Sequence, residues 1–277
     1  MTLKHEPLVS ILVPTYNGAK YIRATLESVQ SQTYTNWEVI VMDDASNDDT
    51  IDIVKSIAEP RIKIFDKNEN LGAQGNWNRG LKQISGEYFK LLPQDDLLST
   101  DCLEAQVRVF AEDKDQSISL VFSSRQVIGP NGDSRMIRGF GSSPSGRIPS
   151  KEIVRKSIRA GGNLVGEPGS GLMRAALVNK IGPYSSEFPY VIDLDYWIRA
   201  LKHGDGFYIA RPLTCFRVSL GAWSVKLGNK QVEDYRRLAE KVYRDGDSGI
   251  SPLELKLGVL RSRINSWLRF AYYRFLT

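Results

Sequence analysis

The chain contains 277 residues, of which 42% are hydrophobic and 25% are charged. This composition is typical of a globular protein and excludes a disordered chain, a collagen-like fibre and a small disulfide-rich scaffold. The net charge of +5 would suit a nucleic acid, a membrane surface or an anionic substrate as a partner. Cys102 and Cys215 lack the paired spacing of a zinc site or a disulfide framework. We therefore expect a reducing compartment and two small packed side chains.

Membrane-spanning and leader segments are not predicted. The apolar run over residues 8–13 is too short for a signal sequence or a span, and no other stretch reaches about 18 apolar residues. We expect a cytoplasmic protein and leave open a peripheral contact at the inner face of the cell membrane.

Short apolar runs alternate with helix-period patterns from residue 8 to about residue 125. This alternation predicts strand-helix-strand units around a buried parallel sheet. The predicted elements, in chain order, are a strand over 9–13, a helix over 22–33, a strand over 37–42, a helix after the N-cap residues 46–50, a strand over 61–65, a helix over 76–84, a strand over 87–92, a helix capped by Ser99 or Thr100, and a strand over 119–122. Asn131-Gly132 then predicts a hairpin turn.

The second half of the chain is more irregular. Residues 139–170 are rich in Gly, Ser and Pro, which predicts loops around one short helix near 150–159. Loops of this kind often carry substrate contacts. The remaining predicted elements are a helix over 193–203, a strand over 207–210, and helices over 233–243 and 252–275.

Pairs of acidic residues follow two predicted parallel strands. Asp43-Asp44 ends the second strand, and Asp95-Asp96 follows the strand over 87–92. Ligands of open α/β sheets bind beyond the carboxyl ends of the strands. Adjacent carboxylates repel unless a cation or hydrogen-bond donors offset their charge, and Mg²⁺ or Mn²⁺ bridging a diphosphate would do so. Each pair alone could also be a helix cap or a solvated turn.

Several ordered motifs resemble the inverting family-two nucleotide-sugar glycosyltransferases. They are residues 9–18 (VSILVPTYNG), 27–32 (ESVQSQ), 37–50 (WEVIVMDDASNDDT), 70–72 (NLG) with Asn78, 86–88 (GEY), 94–96 (QDD), 182–184 (GPY) and 193–197 (DLDYW). The resemblance covers roughly residues 8–224, and several motifs in order are far more specific than one short pattern.

The resemblance implies an α/β GT-A fold, in which helices flank a Rossmann-like nucleotide-binding mixed sheet. We expect a glycosyltransferase domain over 1–232 and a C-terminal helical extension over 233–277. The implied reaction is direct displacement of a nucleoside diphosphate, with a UDP-sugar as the expected donor and Mn²⁺ or Mg²⁺ as cofactor. The implied acceptor is a glycan or lipid-linked glycan of bacterial surface-polysaccharide assembly.

The resemblance also implies roles for individual residues. The general base is Asp193, the metal ligand is Asp96, and the nucleotide-binding residues are Pro14, Thr15, Tyr16, Asn17, Asp44, Asn78 and Asp95. Candidates for acceptor or phosphate contacts are Glu167, Asp195 and Arg217. A base must be charged beforehand, and a helix N-terminus would favour the carboxylate form of Asp193. As alternatives, Asp193 could serve only as a helix cap and Arg217 only as a structural residue. We expect Trp197 to pack beneath the site.

Three positions depart from the family pattern. Pro93 replaces an acidic residue, Trp77 replaces an arginine, and Ser219 stands where a histidine often contacts metal or phosphate. The last departure leaves the third protein ligand of a metal in doubt.

The last 25 residues carry most of the net charge. Lys256, Arg261, Arg263, Arg269 and Arg274 against Glu254 give +4, alongside the aromatic residues Trp267, Phe270, Tyr272, Tyr273 and Phe275. Such a helix could lie on an anionic membrane or pack on the domain or a partner chain. Both interpretations stay open.

Two other function classes compete with a transferase. A catalytically silent nucleotide-sugar-binding subunit is compatible with the departures. A sugar nucleotidyltransferase is less compatible, because the first strand leads into residues 14–17 (PTYN) without a glycine-rich phosphate loop. No motif for nucleic-acid recognition is present, so we do not expect that partner.

Overall fold

The computed structural model describes residues 6–218 and 230–274. Ten strands form one sheet. The strands are β1 (Val9–Thr15), β2 (Trp37–Asp43), β3 (Ile62–Phe65), β4 (Tyr88–Leu91), β5 (Leu97–Leu98), β6 (Ile118–Ile128), β7 (Ser134–Arg138), β8 (Gly146–Ile148), β9 (Gly171–Arg174) and β10 (Asp205–Arg217).

Nine α-helices and two short 3-10 helices are found in these ranges. The α-helices are α1 (Ile22–Gln30), α2 (Thr50–Ser56), α3 (Gly72–Leu81), α4 (Cys102–Glu112), α5 (Ser150–Ala160), α6 (Ala176–Ile181), α7 (Ile192–Leu201), α8 (Lys230–Asp245) and α9 (Pro252–Arg274). The 3-10 helices are Pro168–Ser170 and Pro189–Val191.

The strand order along the sheet is β3-β2-β1-β4-β9-β6-β10-β5, with β7 beside β6 and β8 beside β10. Strands β3, β2, β1 and β4 are parallel neighbours. Strand β9 runs antiparallel to both β4 and β6 and joins the two halves of the sheet. Strand β10 is parallel to β6. The carboxyl ends of β1, β2 and β4 therefore meet at one edge of the sheet, and the two acidic pairs follow the ends of β2 and β4 there.

Helices cover both faces of the sheet. Alternate residues of a strand point to opposite faces, and in β1 apolar residues of both sets, such as Ile11 and Leu12, are fully buried. Ile11 packs in the cluster that contains α1 and α4 side chains, such as Leu26 and Leu103. Leu12 packs in the cluster that contains α5 and α7 side chains. Such continuous burial is typical of a parallel sheet between helical layers.

Most predicted elements are confirmed, and several boundaries were wrong. Helix α3 begins at Gly72, four residues before the predicted start, and the N-cap of α4 is Asp101 with no side-chain cap. Strands β6 and β10 are longer than predicted because they pair with each other along most of their length. Strand β9, directly after the residues 139–170 that were predicted as loops, was not anticipated.

The hairpin prediction is confirmed between β6 and β7. Gly132 has a φ of +85°, a left-handed conformation that glycine adopts without a steric cost. The Gly129 N–H donates to the Asp133 carbonyl and closes the turn.

The C-terminal helices pack on α5 and on the 3-10 helix Pro189–Val191. Helix α9 begins with a capping box, in which the Ser251 N–H donates to Glu254 and the Glu254 N–H donates to the Ser251 hydroxyl. The predicted division at residue 232 stays a prediction. None of the described helices combines the length and the apolar character that crossing a membrane needs.

Candidate active site

The carboxyl ends of β1 and β2 form one wall of the site. The Thr15 hydroxyl donates to Asp43 at 2.8 Å, and both side chains are buried. Asp43 also accepts hydrogen bonds from the N–H and hydroxyl of Ser46. Pro14 lies opposite Met42 in the register. Thr15 therefore holds the two strand ends together, and its hydroxyl is already engaged.

The loop after β1 presents Tyr16. The side-chain amide of Gln94 accepts from the Tyr16 N–H at 2.9 Å and donates to the Tyr16 carbonyl at 3.1 Å. The tyrosine ring itself is 45% exposed. Gly18 is packed so closely that a Cβ atom would lie 2.2 Å from the Gln94 side-chain oxygen. The Tyr16 backbone is thus fixed while its ring is free to stack on a planar ligand.

Asn17 braces the same loop against the turn after β2. Its N–H donates to the Ser46 hydroxyl at 2.9 Å, and its side-chain oxygen accepts from the Asn47 N–H at 2.8 Å. Asn17 adopts a φ of +49°, a conformation that asparagine tolerates better than most residues. The structure uses Asn17 to shape the loop.

Asp44 is buried where β2 ends. One carboxylate oxygen accepts from the Leu71 N–H at 2.8 Å, and the Asn70 amide donates to the Asp44 carbonyl at 3.1 Å. The start of α3 therefore fixes the position of Asp44. Asn78, further along α3, exchanges two hydrogen bonds with the backbone of Tyr184. Both polar groups of its side chain are thereby engaged in joining α3 to residues 182–184.

The Asp95-Asp96 pair lies in the turn between β4 and β5. Asp96 is buried, and one of its oxygens accepts from the Arg217 N–H at 2.9 Å. The Arg217 guanidinium donates to the Asp95 carbonyl and lies over the Tyr21 ring. Burial raises the pKa of Asp95. Burial, together with the negative charges of Asp95 and Glu167, raises the pKa of Asp96 well above its ordinary value.

These carboxylates fit a divalent cation that is held mainly by a diphosphate. Mg²⁺ and Mn²⁺ are commonly bound by one or two carboxylates plus substrate phosphates, and a buried acidic pair is stabilised by a cation. Gly169 lies beside Asp96, where a Cβ atom would be 3.8 Å from the second carboxylate oxygen. Within residues 6–218 and 230–274, no three acidic, histidine or cysteine side chains cluster as a complete metal cage. The remaining ligands would come from the diphosphate and water.

Asp193 occupies the first turn of α7. One carboxylate oxygen accepts from the Asn163 amide at 2.9 Å and the other from the Leu194 N–H at 2.7 Å. Burial and the negative charge of Glu167 raise the pKa of Asp193 to about 6, although the two hydrogen bonds act in the opposite direction. The helix starts at Ile192 with Val191 as its N-cap, so Asp193 does not have the capping role that was the alternative interpretation.

Buried polar residues hold the loop over residues 163–171, which carries Glu167. Lys90 on β4 donates to the carbonyls of Gly169 and Gly171 at 2.7 and 2.8 Å. Gln106 on α4 donates to the Ser170 carbonyl at 2.9 Å. Sequence reasoning missed both residues. A lysine within an apolar strand and a glutamine on the inner face of an amphipathic helix were the available signals.

Glu167 links the two acidic parts of the site. Its carboxylate forms an ion pair with Arg125 of β6, whose side chain is 5% exposed. The charge of Glu167 raises the pKa of both Asp96 and Asp193. The loop thus brings the charge of Glu167 within electrostatic range of both the expected metal ligand and the expected base. Arg125 was not predicted from the sequence.

Two other residues of α7 have structural partners. Asp195 is buried in an ion pair with Arg199 at 2.8 Å, and side chains two residues apart on a helix point roughly 200° apart. Asp195 therefore points away from Asp193. The Trp197 indole N–H donates to the Gly166 carbonyl at 3.2 Å, so this buried ring packs beneath the loop as predicted.

Of the three departures from the family pattern, the one at Trp77 changes the packing around the site. Trp77 packs edge-on against Tyr184, with ring centroids 5.1 Å apart, and Tyr184 stacks on Tyr196 at 3.9 Å. Arg79, two residues later, donates to the Asp43 carbonyl at 3.3 Å and supplies a cation near the end of β2. Ser219 lies outside the described residues.

Comparison with known sequences decides the family. The sequence model described as "Glycosyl transferase family 2" matches residues 10–182. The chain belongs to glycosyl transferase family 2. It is 30% identical over 221 residues to the Escherichia coli enzyme "UDP-Glc:alpha-D-GlcNAc-diphosphoundecaprenol beta-1,3-glucosyltransferase WfgD", covering 79% of each protein. The expected enzyme class, a glycosyltransferase, is therefore confirmed.

Solved structures confirm the GT-A fold of this family member. S. aureus TarS (residues 1–349) in complex with UDP-GlcNAc matches with a TM-score of 0.69 at 19% identity, over 95% of this chain and 73% of TarS. The mannosyltransferase PcManGT of Pyrobaculum calidifontis, in complex with GDP-Man and Mn²⁺, matches with a TM-score of 0.58 at 18% identity, over 94% and 70% of the two chains.

Proposed function

We propose that this chain is an inverting glycosyltransferase that moves one sugar from a UDP-sugar to a lipid-linked glycan, with Asp193 as general base. The observation that carries this proposal is the setting of Asp193. Its carboxylate is oriented by two hydrogen bonds, and its pKa is raised to about 6. The charge of Glu167 acts both on Asp193 and on Asp96, the proposed cation ligand.

The donor nucleotide is proposed to bind across the carboxyl ends of β1, β2 and β4. Tyr16 offers an exposed ring for the base, and Asp44 offers a fixed carboxylate that can accept from a ring N–H of uracil. Asp95 lies at the next strand end and can accept from the ribose. Thr15, Asn17 and Asn78 act in this proposal by positioning the loops, since their side chains already have protein partners.

Asp96 is proposed to hold the divalent cation together with the donor diphosphate. When bound, such a cation neutralises the charge that develops on the leaving nucleoside diphosphate. Arg217 fixes Asp96 through its N–H and places a guanidinium at the same turn. The structure of PcManGT, which has a similar fold and is in complex with GDP-Man and Mn²⁺, supports this proposal.

The transfer step then needs one proton acceptor. In an inverting transfer, the acceptor hydroxyl attacks the anomeric carbon from the side opposite the diphosphate, and the base removes the hydroxyl proton. A carboxylate with a pKa near the working pH is suited to this role. Above pH 6, Asp193 is mostly charged and can accept the proton.

The acceptor class is proposed from the E. coli relative, whose name specifies a diphosphoundecaprenol-linked sugar. Asn163, Glu167 and Asp193 are on the loop and helix beside which such an acceptor sugar would lie. A cytoplasmic location at a membrane is part of the same proposal.

The proposal is tested by incubating the chain with UDP-glucose, UDP-GlcNAc or UDP-galactose, Mn²⁺ and a synthetic GlcNAc-diphospholipid. We expect one donor to give a product whose new glycosidic bond is β by NMR, which is inversion of an α-linked donor. An α-linked product would overturn inversion. Donor binding without transfer to this or related acceptors would instead favour a silent nucleotide-sugar-binding subunit.

Replacing the expected metal ligand should remove the cation dependence of nucleotide binding. We expect UDP with Mn²⁺ to raise the melting temperature of the unchanged protein, because a ligand of the native state stabilises it. In Asp96→Asn, we expect Mn²⁺ to add nothing to the shift produced by UDP. A cation-dependent shift of full size in this variant would place the metal elsewhere. Asp101→Asn, at the partly exposed N-cap position of α4, is the control.

Removing the charge of Glu167 should change the pH profile of transfer. In the unchanged protein, kcat should fall about tenfold per pH unit below pH 6, because protonated Asp193 cannot accept a proton. In Glu167→Gln, the pKa of Asp193 should fall, because the second cause of its elevation is gone, and the acidic limb should move to lower pH. An acidic limb at the same pH in both proteins would contradict this role.

A further inference from the structure

Helix α9 presents an apolar face to solvent. Trp267 is 68% exposed and Leu253 is 66% exposed, and three further apolar side chains of the helix are about half exposed. Together, the five outward apolar residues are Leu253, Leu260, Ile264, Trp267 and Leu268. We call them the outer stripe.

The outer stripe follows the helical period. At about 100° per residue, the five positions fall within an arc of about 100° along one side of α9. A stripe of this width normally faces the protein core. Here it faces outwards along four turns of the helix.

The opposite side of α9 contacts the domain and carries mostly polar or small residues, together with Leu255, which packs against the core. Gly258 lies against the Ile158 carbonyl, where a Cβ atom would be only 2.2 Å away. Asn265 donates to the Ala160 carbonyl at 3.1 Å, and Ser262 is buried. Ser266 donates to Gln231 of α8 at 3.3 Å. The helix is therefore already docked through this mostly polar side, and packing within the described residues does not account for the outer stripe.

Basic side chains border the outer stripe. Lys256 and Arg263 are exposed along one edge, and Arg261 is exposed along the other. Lysine and arginine at the edges of an apolar helix face can extend to phospholipid headgroups while their alkyl chains stay with the apolar surface. No exposed acidic residue belongs to α9, since its single acidic residue, Glu254, is buried and paired with Arg155.

We propose that the outer stripe of α9 inserts into the interface of an anionic phospholipid bilayer, with the flanking basic residues at the headgroups. The helix lies parallel to the membrane surface and its polar side stays on the domain. The charge complementarity between the basic edges and an anionic lipid surface selects this occupant over a second protein.

This orientation of α9 also bears on how the acceptor reaches the site, an inference that rests on the proposed function. Helix α9 supports the end of α5 at Ala160 and Gly161, and Asn163, two residues further, holds Asp193. A bilayer beneath α9 would therefore lie beside the loop that leads to the base. A sugar attached to a membrane lipid by a diphosphate could reach the site without leaving the bilayer.

The proposal is tested by flotation of the full chain with vesicles of phosphatidylcholine alone or with about 30% phosphatidylglycerol. We expect the chain to float with the anionic vesicles, and we expect high salt to release part of the bound protein. The triple variant Leu260→Glu, Ile264→Glu and Trp267→Glu should bind the anionic vesicles at least tenfold more weakly than the unchanged chain. The substitutions are at exposed helix positions, and a thermal melt checks that the variant is folded.

Two comparison variants separate the contribution of the outer stripe from that of the basic residues. Ile137→Glu removes an apolar side chain of similar exposure, 61%, on β7, and should bind vesicles like the unchanged chain. The pair Lys256→Gln and Arg263→Gln should bind the anionic vesicles several-fold more weakly and with less dependence on salt.

Two results would overturn the proposal. The unchanged chain could stay in solution with anionic vesicles, or the triple variant could float as well as the unchanged chain. A dimer in light scattering that the triple variant converts to a monomer, without vesicle binding, would assign the outer stripe to a second copy. Donor binding and transfer to a soluble acceptor are measured on the same samples, so a failed membrane contact is distinguishable from a failed enzymatic assignment.

Discussion

Asp193→Asn is expected to lower the rate of sugar transfer by about 100- to 10 000-fold, which is the usual contribution of a general base. The asparagine keeps the shape of the side chain and can still accept from Asn163 or Leu194, but it cannot take a proton from the acceptor. Because Asp193 lies apart from the strand ends that we propose to bind the nucleotide, we expect the affinity for UDP to be unchanged. The measurements are transfer kinetics and UDP titration of the same preparation.

The same substitution should stabilise the protein at neutral pH. The pKa of Asp193 is raised from 3.8 to about 6 in the folded chain, so its charged form is disfavoured by folding. The favourable contribution of the neutral form is present below pH 3.8 and is lost as the pH rises through 6. A neutral asparagine avoids this loss. We expect a gain of about 1 to 3 kcal/mol in the free energy of unfolding at pH 7.5.

Denaturant unfolding at several pH values checks the sign of this effect. The difference between Asp193→Asn and the unchanged protein should shrink as the pH falls towards 4. Asp245→Asn, which removes the charge of an exposed residue paired with Lys202, is the control and should change neither transfer nor stability appreciably. Transfer at more than a tenth of the original rate in Asp193→Asn would contradict its role as the base.

Arg125→Met is expected to have the largest effect on stability among the site residues. The Arg125 side chain is 5% exposed and its partner Glu167 is 23% exposed. Removing only the Arg125 guanidinium leaves the Glu167 carboxylate partly buried and unpaired, within electrostatic range of Asp96 and Asp193. Breaking a buried pair on one side costs about 3 to 5 kcal/mol, and the partial exposure of Glu167 places the expected loss near about 3 kcal/mol. For a chain of this size, that is a fall in melting temperature of about 5 °C.

Two further variants test this explanation. Arg108→Met breaks an exposed ion pair with Glu112, in which both side chains are at least 70% exposed, and should cost less than about 1 kcal/mol. The double variant Arg125→Met and Glu167→Gln removes both charges and should recover much of the stability. A double variant as unstable as Arg125→Met would show that the shape of the arginine side chain matters more than its charge.

The regular part of the fold could be predicted because its signals are local. Strands β1, β2 and β4 are short apolar runs between helices with clear periodicity, and their order places Asp44 and Asp96 at one edge of the sheet. Strand β9 could not be predicted in this way. Its four residues follow a glycine-rich loop, and they form a strand only because β4 and β6 both leave an edge for them to pair with.

The same distinction applies to the site. Asp193 and Asp96 belong to short motifs that resemble a family, and so the sequence could single them out as candidates. Lys90, Gln106, Arg125 and Asn163 were not, because each contacts a residue far away in sequence. Lys90 contacts Gly169, and Gln106 contacts Ser170. A single sequence carries no direct sign of such pairs, and only the path of the loop over residues 163–171 brings them together.

The C-terminal helices illustrate a third limit. The apolar positions of α9 were visible in the sequence, but periodicity does not show which face of a helix is turned towards the protein. The close backbone approach at Gly258 and the side-chain hydrogen bond of Asn265 decide the orientation. The aromatic residues Phe270, Tyr272 and Tyr273, which also suggested a membrane contact, have side chains outside the described part of the structure, as does all of Phe275.

The position of β9 in the middle of the sheet also bears on how the chain is synthesised. Strands β1 to β4 emerge from the ribosome first, yet the edge of β4 has no permanent neighbour until residues 171–174 have been made. During that interval the nascent chain exposes an apolar strand edge, which is a site for mispairing. We expect the first half of this protein to need protection by a chaperone when it is produced alone.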